Sequence, residues 1–163
     1  MAQDSPNPEF AAVGLLTRRE IEARIAGPLL QAFIEQFGRE PTLKAAEKVI
    51  ASLARESGAM LAQLLGGNTM QHFADGTAFW GQGGALEYEV LEANSTRISL
   101  NVTRCKFAEM YDQLGMRDLG YLLSCGRDFA MIEGFNPKIT LTRSRTIMQG
   151  DPFCDFRFEL RDE

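Results

Sequence analysis

Three cysteines, each close to acidic, basic or hydroxyl side chains, are the residues of this sequence with the clearest potential for chemistry. They are Cys105, Cys125 and Cys154. All lie in the segment 101–158, where Asp128 follows Cys125 and Asp155 follows Cys154. Thiols with carboxylate neighbours can support nucleophilic catalysis or bind a metal ion. We therefore predict that any active site of this protein lies in this segment.

Cys105 has the best independent case as a nucleophile. The apolar spacing of residues 107–114 predicts a helix, with Thr103 as its cap and Cys105 as its second residue. The unpaired amides and the dipole of a helix N-terminus favour an anion there. Arg104 and Lys106 add positive charge on both sides. We therefore expect a lowered pKa for the Cys105 thiol and a usable fraction of thiolate.

The other two cysteines have different settings. Tyr121, Cys125 and Asp128 lie at i, i+4 and i+7, so a helix would carry a phenol, a thiol and a carboxylate along one side. Equally, Cys125 can be a small hydrophobic residue packed beside an exposed Asp128. Cys154 belongs to a strand pattern that places it on the core side, with Asp155 on the opposite side.

Periodicity along the chain predicts two helices, a hairpin, two further helices and a second hairpin. The first helix starts at a capping box at Thr17 and carries apolar residues at every fourth position from 21 to 37, with Pro28 expected to kink or restart it. The second starts near Pro41 and carries its own apolar stripe to residue 65. Residues 68–83, which include His72, are expected to form a long connection.

The strand pattern predicts one hairpin over residues 86–102 and another from strands 138–148 and 153–160. The fold class is therefore α+β, with an antiparallel sheet of about four strands and helices packed on one face. Residues 1–14 are expected to form a flexible N-terminal arm. Residues 15–163 form one domain, with a helical scaffold over 15–67 and the sheet and cysteine-bearing site over 84–163.

Composition narrows the classes of function. The 163 residues carry a net charge of −5 without a basic cluster, so nucleic acid is not an expected partner. No membrane-spanning segment is evident, and we expect a cytoplasmic protein with free thiols and no cofactor. The sequence leaves a homo-oligomer open.

Five motifs carry a resemblance to a known family. They are R-R-E-I-E-A-R-I at 18–25, A-R-E-S-G at 54–58, T-R-C-K-F-A-E-M-Y at 103–111, C-G-R-D at 125–128 and T-I-M-Q-G-D-P-F-C-D-F-R-F at 146–158. In this order and at these distances, the sequence resembles the L-2-amino-thiazoline-4-carboxylic acid hydrolase family.

The resemblance implies hydrolysis of a C–N or C–S bond in a small cyclic amidine or amide. Carried over by position, it implies the site residues Cys105, Cys125, Asp128, Cys154 and Asp155. Phe153 occupies a place where family members often have a polar residue. That difference indicates a more apolar pocket, so other small lactams or cyclic imides are equally compatible substrates.

Our main hypothesis is a thiolate that attacks the ring carbon of the substrate, while a carboxylic acid or the Tyr121 hydroxyl protonates the departing nitrogen. Arg104 or Arg143 would bind a substrate carboxylate, and Thr146 is a further substrate-binding candidate. One alternative is a metal-dependent hydrolase with thiolate ligands plus Asp128, Asp155 or His72, although the cysteine spacing lacks the close pairs of zinc motifs. Another is a non-catalytic domain that binds a small ligand.

Overall fold

Two long helices open the part of the chain that the computed structural model describes, residues 13–161. Helix α1 spans Leu15–Phe37 and α2 spans Arg39–Leu65. Only Gly38 separates them, with a φ of 88° that favours glycine. Both helices start slightly earlier than the sequence predicts, and α1 continues through Pro28 rather than restarting there. Most of the predicted N-terminal arm, residues 1–14, lies outside the described residues.

A short helix replaces much of the connection that the sequence predicts over residues 68–83. Helix α3 spans Met70–Thr77, and the Thr69 side chain caps it by accepting a hydrogen bond from the His72 amide. Met70 and Phe73 are almost fully buried. The prediction of a loop was wrong because a helix of only eight residues is stabilised mainly by these two tertiary anchors.

Four antiparallel strands form one sheet in the order β1-β2-β4-β3. Their bounds are Leu86–Ala93 for β1, Arg97–Cys105 for β2, Ile139–Thr142 for β3 and Cys154–Leu160 for β4. Each predicted hairpin is present, and pairing of β2 with β4 joins the two into a single sheet. The α+β fold class is confirmed. Strand β3 is shorter than predicted, because the chain leaves the sheet after Thr142.

Short helical segments lie between the two hairpins. Helix α4 spans Lys106–Gln113, α5 spans Arg117–Gly120, a π-helix spans Tyr121–Cys125, and α6 spans Arg127–Phe135. A short 3₁₀ turn, Ile147–Gln149, precedes β4. A π-helix is rare and is frequently found at functional sites.

The core lies between these helices and one face of the sheet. Phe158 of β4 is fully buried, with its ring centroid 4.7 Å from that of Phe73. The centroid of the Phe135 ring of α6 lies 5.4 Å from that of Phe73. These aromatic contacts hold α3 and α6 against the sheet. No helix in the described range 13–161 carries an apolar stretch of membrane-spanning length.

Helices α2 and α6 cross with their backbones in very close contact, and two glycines make this possible. A Cβ atom built on Gly58 would lie 2.0 Å from the Met131 carbonyl oxygen. A Cβ atom on Gly134 would lie 2.0 Å from the Arg55 carbonyl oxygen. Both obstacles are backbone atoms, so neither clash is relieved by rotating a side chain.

Replacing either glycine by alanine should therefore separate α2 from α6. We expect Gly58→Ala and Gly134→Ala each to lower the free energy of unfolding by at least about 2 kcal/mol. Urea unfolding followed by circular dichroism measures the change. Gly14→Ala is the control, since its Cβ would meet no atom within 4 Å. Equal stability of all three variants would contradict the close crossing.

Candidate functional site

A bulge in β2 decides where the Cys105 side chain points. Glu87 pairs with Arg104 and Tyr88 pairs with Val102, so Thr103 is the extra residue. Thr103 and Arg104 are both exposed in succession, and Cys105 returns to the buried side. Regular alternation from Val102 would have placed Cys105 on the opposite face. The bulge thus turns the Cys105 thiol toward the core.

The cysteines lie in different elements that meet at one end of the sheet. Cys105 ends β2, Cys125 ends the π-helix, and Cys154 begins β4, where it pairs with Val102. Burial raises the pKa of the Cys125 thiol, and negative charge on Asp128, Cys105 or Cys154 raises it further. Asp128 and the three thiols therefore lie within range of one another's charge, and we call this set the cysteine cluster.

The expected lowering of the Cys105 pKa is wrong. Helix α4 starts at Lys106, which makes Cys105 the residue before the helix, and the side chain is 9% exposed. Burial raises the Cys105 pKa, and although the amides of Phe107 and Ala108 act in the opposite direction, their effect is smaller. The helix terminus therefore favours the thiolate as the sequence implies, but loss of hydration outweighs it.

Cys154 is buried as its strand pattern predicts. Its sulfur accepts a hydrogen bond from the Ile147 amide at 3.2 Å. Burial nonetheless raises the pKa of the Cys154 thiol to about 11, with the Ile147 amide acting against that shift. Cys125 as a residue is of intermediate exposure, whereas Cys105 and Cys154 are buried, yet burial of the thiol itself also raises the pKa of Cys125.

Arg143 is the central cation of the cluster. Its side chain is 1% exposed, and one terminal nitrogen donates to Asp128 Oδ2 at 2.5 Å. The other donates to the Cys125 carbonyl oxygen at 2.9 Å. Burial raises the pKa of Asp128, while the charge of Arg143 opposes that shift. The ion pair thus joins the segment after β3 to the π-helix and α6.

Aromatic rings surround the Arg143 guanidinium. Its central carbon lies 4.8 Å from the centroid of Phe156, 5.2 Å from that of Phe129 and 6.0 Å from that of Tyr121. Rings at such distances attract a cation through their quadrupoles. Within the described residues, Arg143 Nε is buried without a hydrogen-bond partner. This leaves one donor of the guanidinium unused inside the cluster.

Asp155 and Thr146 hold the irregular segment between β3 and β4. The Asp155 carboxylate accepts hydrogen bonds from the Ser144 amide, the Ser144 hydroxyl and the Arg145 amide, at 2.9, 2.7 and 2.6 Å. Thr146 is 3% exposed and caps the 3₁₀ turn before β4. This geometry explains how both residues fix the loop between β3 and β4. A role of either residue in substrate chemistry stays a prediction.

Ionisation of Asp155 is favoured by this setting. Burial alone would raise its pKa, but the hydrogen bonds from Ser144 and Arg145 outweigh burial and hold the pKa below its ordinary value. An aspartate that stays ionised under these conditions is a poor proton donor near neutral pH. This argues for Asp128 over Asp155 as the carboxylate that exchanges protons.

The remaining predicted residues are exposed or partly exposed. Arg104 is half exposed and makes ion pairs with Glu87 and Glu109. His72 is partly buried in α3, with Nδ1 2.6 Å from the Thr69 hydroxyl. Phe153 packs beneath Arg145, whose guanidinium carbon is 5.1 Å from the ring centroid. Of the two arginines predicted to bind substrate, Arg143 is the one in the cluster.

An open groove of about 510 Å³ lies outside the π-helix. Its lining consists of Arg117, Asp118, Tyr121, Met148, Gln149 and Gly150. Tyr121 borders both this groove and the Arg143 guanidinium. A second groove, of about 630 Å³, runs between α6 and β3 and includes Phe129. Sequence reasoning did not single out Arg117, Gln149 or Phe129. Gln149 lies inside the motif at 146–158 but was given no separate role, and the other two lie outside the quoted motifs.

The described residues offer no clear metal site. Within 13–161, no group of three or more His, Cys, Asp and Glu side chains is arranged to hold a metal ion. The thiols also lie in environments that raise their pKa values, which opposes the thiolate form that metal binding requires.

Comparison with known proteins gives a family and a fold. The family model for L-2-amino-thiazoline-4-carboxylic acid hydrolase matches residues 18–158. No curated protein matches the sequence significantly. Among solved structures, the phenol-responsive sensory domain of the transcription activator PoxR, bound to phenol, is similar with a TM-score of 0.55 and 13% identity, over 83% of this chain and 72% of that one.

A second similar structure is trafficking protein particle complex subunit 3 from Naegleria fowleri, covalently bound to palmitic acid. Its TM-score is 0.52 at 13% identity, over 90% of this chain and 96% of that one. At such low identity, both similarities show the fold alone.

Raised pKa values predict slow alkylation of the native thiols. At a pKa of about 11, only about one Cys154 side chain in ten thousand is a thiolate at pH 7. We expect iodoacetamide at pH 7 to modify the folded protein at least about tenfold more slowly than the urea-unfolded protein, where thiol pKa values return to about 8.5. Mass spectrometry of timed samples measures both rates. Fast alkylation of Cys105 in the folded protein would contradict its raised pKa and support the thiolate that the sequence predicts.

The lowered pKa of Asp155 predicts a pH dependence of stability. Its ionised form contributes stability above the ordinary aspartate pKa of about 3.9, and this contribution is lost as pH falls through the folded-state pKa. Asp155→Asn should therefore be less stable than the wild type at pH 7, and the difference should shrink below about pH 4. Thermal unfolding at several pH values tests this. A difference independent of pH would contradict it.

Proposed function

Because the chain belongs to the L-2-amino-thiazoline-4-carboxylic acid hydrolase family, we propose that it hydrolyses a C–N or C–S bond of a small cyclic amidine, lactam or imide. The observation that carries this proposal is the cluster of thiols joined electrostatically to Asp128, which is itself paired with Arg143. A nucleophile, a proton acceptor and a fixed cation are the groups that such a hydrolysis needs.

Cys125 is our candidate nucleophile. It is more exposed than Cys105 or Cys154, and its position one turn before Asp128 in the chain favours proton exchange between the two. Asp128 ranks directly after burial among the causes that raise the Cys125 pKa. Cys105 and Cys154 would then shape the pocket and limit its polarity.

The raised pKa values favour attack by a neutral thiol, which loses its proton as the bond between sulfur and the ring carbon forms. Burial raises the pKa values of both Cys125 and Asp128, which stabilises the neutral thiol and makes the carboxylate a better base. In the proposed step, the Cys125 sulfur bonds to the ring carbon while its proton passes to Asp128. Asp128 then protonates the departing ring nitrogen or sulfur. Water hydrolyses the thioester or thioimidate and regenerates the thiol.

Substrate would approach from the groove outside the π-helix. Tyr121 borders both this groove and Arg143, so movement of its ring would open a path toward the cluster. The buried Arg143 Nε supplies a donor without a partner in the described chain. A substrate carboxylate or ring carbonyl would accept a hydrogen bond from it. Thr146 would act indirectly, by fixing the 3₁₀ turn beside the groove.

A non-catalytic domain that binds a small ligand is the second candidate. The raised pKa values of the cysteines favour it, because inert, buried thiols also suit a purely structural part. The PoxR sensory domain, a phenol-responsive protein, has a similar fold. A metal-dependent hydrolase stays an alternative, but residues 13–161 contain no group of side chains arranged to hold a metal ion.

Single substitutions in the cluster test the hydrolase proposal. We expect Cys125→Ala and Asp128→Asn each to lower kcat/KM on the best substrate of a panel of cyclic amidines and lactams by at least about 100-fold. If Asp128 is the base, wild-type activity rises with pH through the raised pKa of Asp128, and Asp128→Asn loses this rise. Liquid chromatography of ring-opened products provides the assay.

Matched controls separate chemistry from folding. Asp75→Asn makes the same substitution at a carboxylate that hydrogen-bonds Gln71 in α3, and it should keep full activity. Circular dichroism confirms that each variant is folded. Full activity of Cys125→Ala, Cys105→Ser and Cys154→Ser would rule out thiol catalysis. Tight binding of a panel compound without turnover, measured by calorimetry, would favour the ligand-binding domain instead.

A further inference from the structure

Large apolar side chains cover the outward sides of α1 and α2. On α1 they occupy every fourth position from Ile21 to Phe37, and on α2 they include Val49, Leu53, Met60 and Leu64. These side chains are between 46% and 72% exposed. An amphipathic surface helix normally turns such residues toward the core. We call this set the outer apolar face.

Close packing on the other side explains why α1 and α2 cannot turn this face inward. Their most buried positions are small residues, Ala23 and Gly27 on α1 and Ala54 and Gly58 on α2. A Cβ atom on Gly27 would lie 2.3 Å from Met116 Sδ, and one on Gly58 would clash with the α6 backbone. Large side chains have no room there. The outer apolar face is therefore fixed on the surface of the single chain.

The extent of this face matches a protein interface. Helices α1 and α2 contain 23 and 27 residues, so they are about 35 and about 40 Å long. Apolar patches on monomeric proteins rarely exceed about 300–600 Å². A stable interface needs about 800 Å² from each partner. Two helices of this length, lined with half-exposed leucine, isoleucine, phenylalanine and methionine side chains, supply a surface of that class.

Charge favours a second copy of this chain over an anionic membrane as the occupant. Between residues 15 and 65, seven basic side chains are accompanied by six acidic ones, so the helices carry almost no net charge. An anionic membrane surface attracts helices rich in Lys and Arg, and the whole chain has a net charge of −5. A balanced mixture of both signs is instead compatible with itself across a two-fold axis.

The spacing on α2 also suits another helix. Val49, Leu53, Met60 and Leu64 are separated by steps of four, seven and four residues, which keep them on one face of the helix. We propose that a second copy of this chain covers the outer apolar face, with α1 and α2 of the two copies packed around a two-fold axis. This dimer does not depend on the hydrolase activity.

Sedimentation equilibrium of the full-length protein tests the dimer. We expect the wild type to be dimeric at micromolar concentrations. Leu29→Glu with Leu53→Glu should raise the dissociation constant at least about tenfold, because each charge enters the interface twice. Val90→Glu with Leu91→Glu on β1 is the matched control. These side chains are 56% and 55% exposed but lie outside the face, so the control should remain dimeric.

Both double variants change exposed side chains, so they should keep the circular dichroism spectrum of the wild type. A wild type that stays monomeric at about 100 µM, far above the range of a stable dimer, would overturn the proposal. A dimer that resists Leu29→Glu with Leu53→Glu would also overturn it, because another surface would then hold the copies together. Binding of a monomeric wild type to anionic phospholipid vesicles would assign the face to a membrane instead.

Discussion

The ion pair between Asp128 and Arg143 is the interaction on which the cysteine cluster depends. Arg143 comes from the segment after β3, and Asp128 comes from α6, so their contact fixes these elements relative to each other. The same guanidinium binds the Cys125 carbonyl and packs against Phe156. Removing one partner of a buried pair leaves an uncompensated charge, which costs about 3–5 kcal/mol. The pair of Asp128 and Arg143 therefore both fixes the geometry of the cluster and balances its buried charges.

Desolvation dominates the electrostatics of the thiols. The amides at the start of α4 stabilise a Cys105 thiolate, and the Ile147 amide does the same for Cys154, yet the pKa of each is raised. Several favourable dipoles do not replace the hydration that a buried thiolate loses. Chemistry at this cluster consequently requires a base that accepts the proton during attack, and Asp128 is the carboxylate whose pKa is shifted in the useful direction.

Small residues organise the helical half of the molecule as strongly as large ones organise the core. Gly58 and Gly134 let the backbones of α2 and α6 touch, while Gly27 lets α1 lie against the Met116 side chain. The consequence is that the bulkiest side chains of α1 point outward. The hydrophobic periodicity of α1 therefore correctly identifies an apolar face, but this face is exposed and is not part of the core of the single chain.

Sequence alone determined the α+β class, the hairpins and the family, because periodicity and motifs depend on residues close together in the chain. It also predicted Cys125, Asp128 and Arg143 as candidate site residues, and the structure adds the contact between Asp128 and Arg143. Tertiary structure decided what depends on distant groups. The Thr103 bulge turns Cys105 inward, and burial by other elements reverses its expected pKa shift. Which side of α1 is buried follows from backbone contacts that no local pattern encodes, since each contact joins residues far apart in sequence.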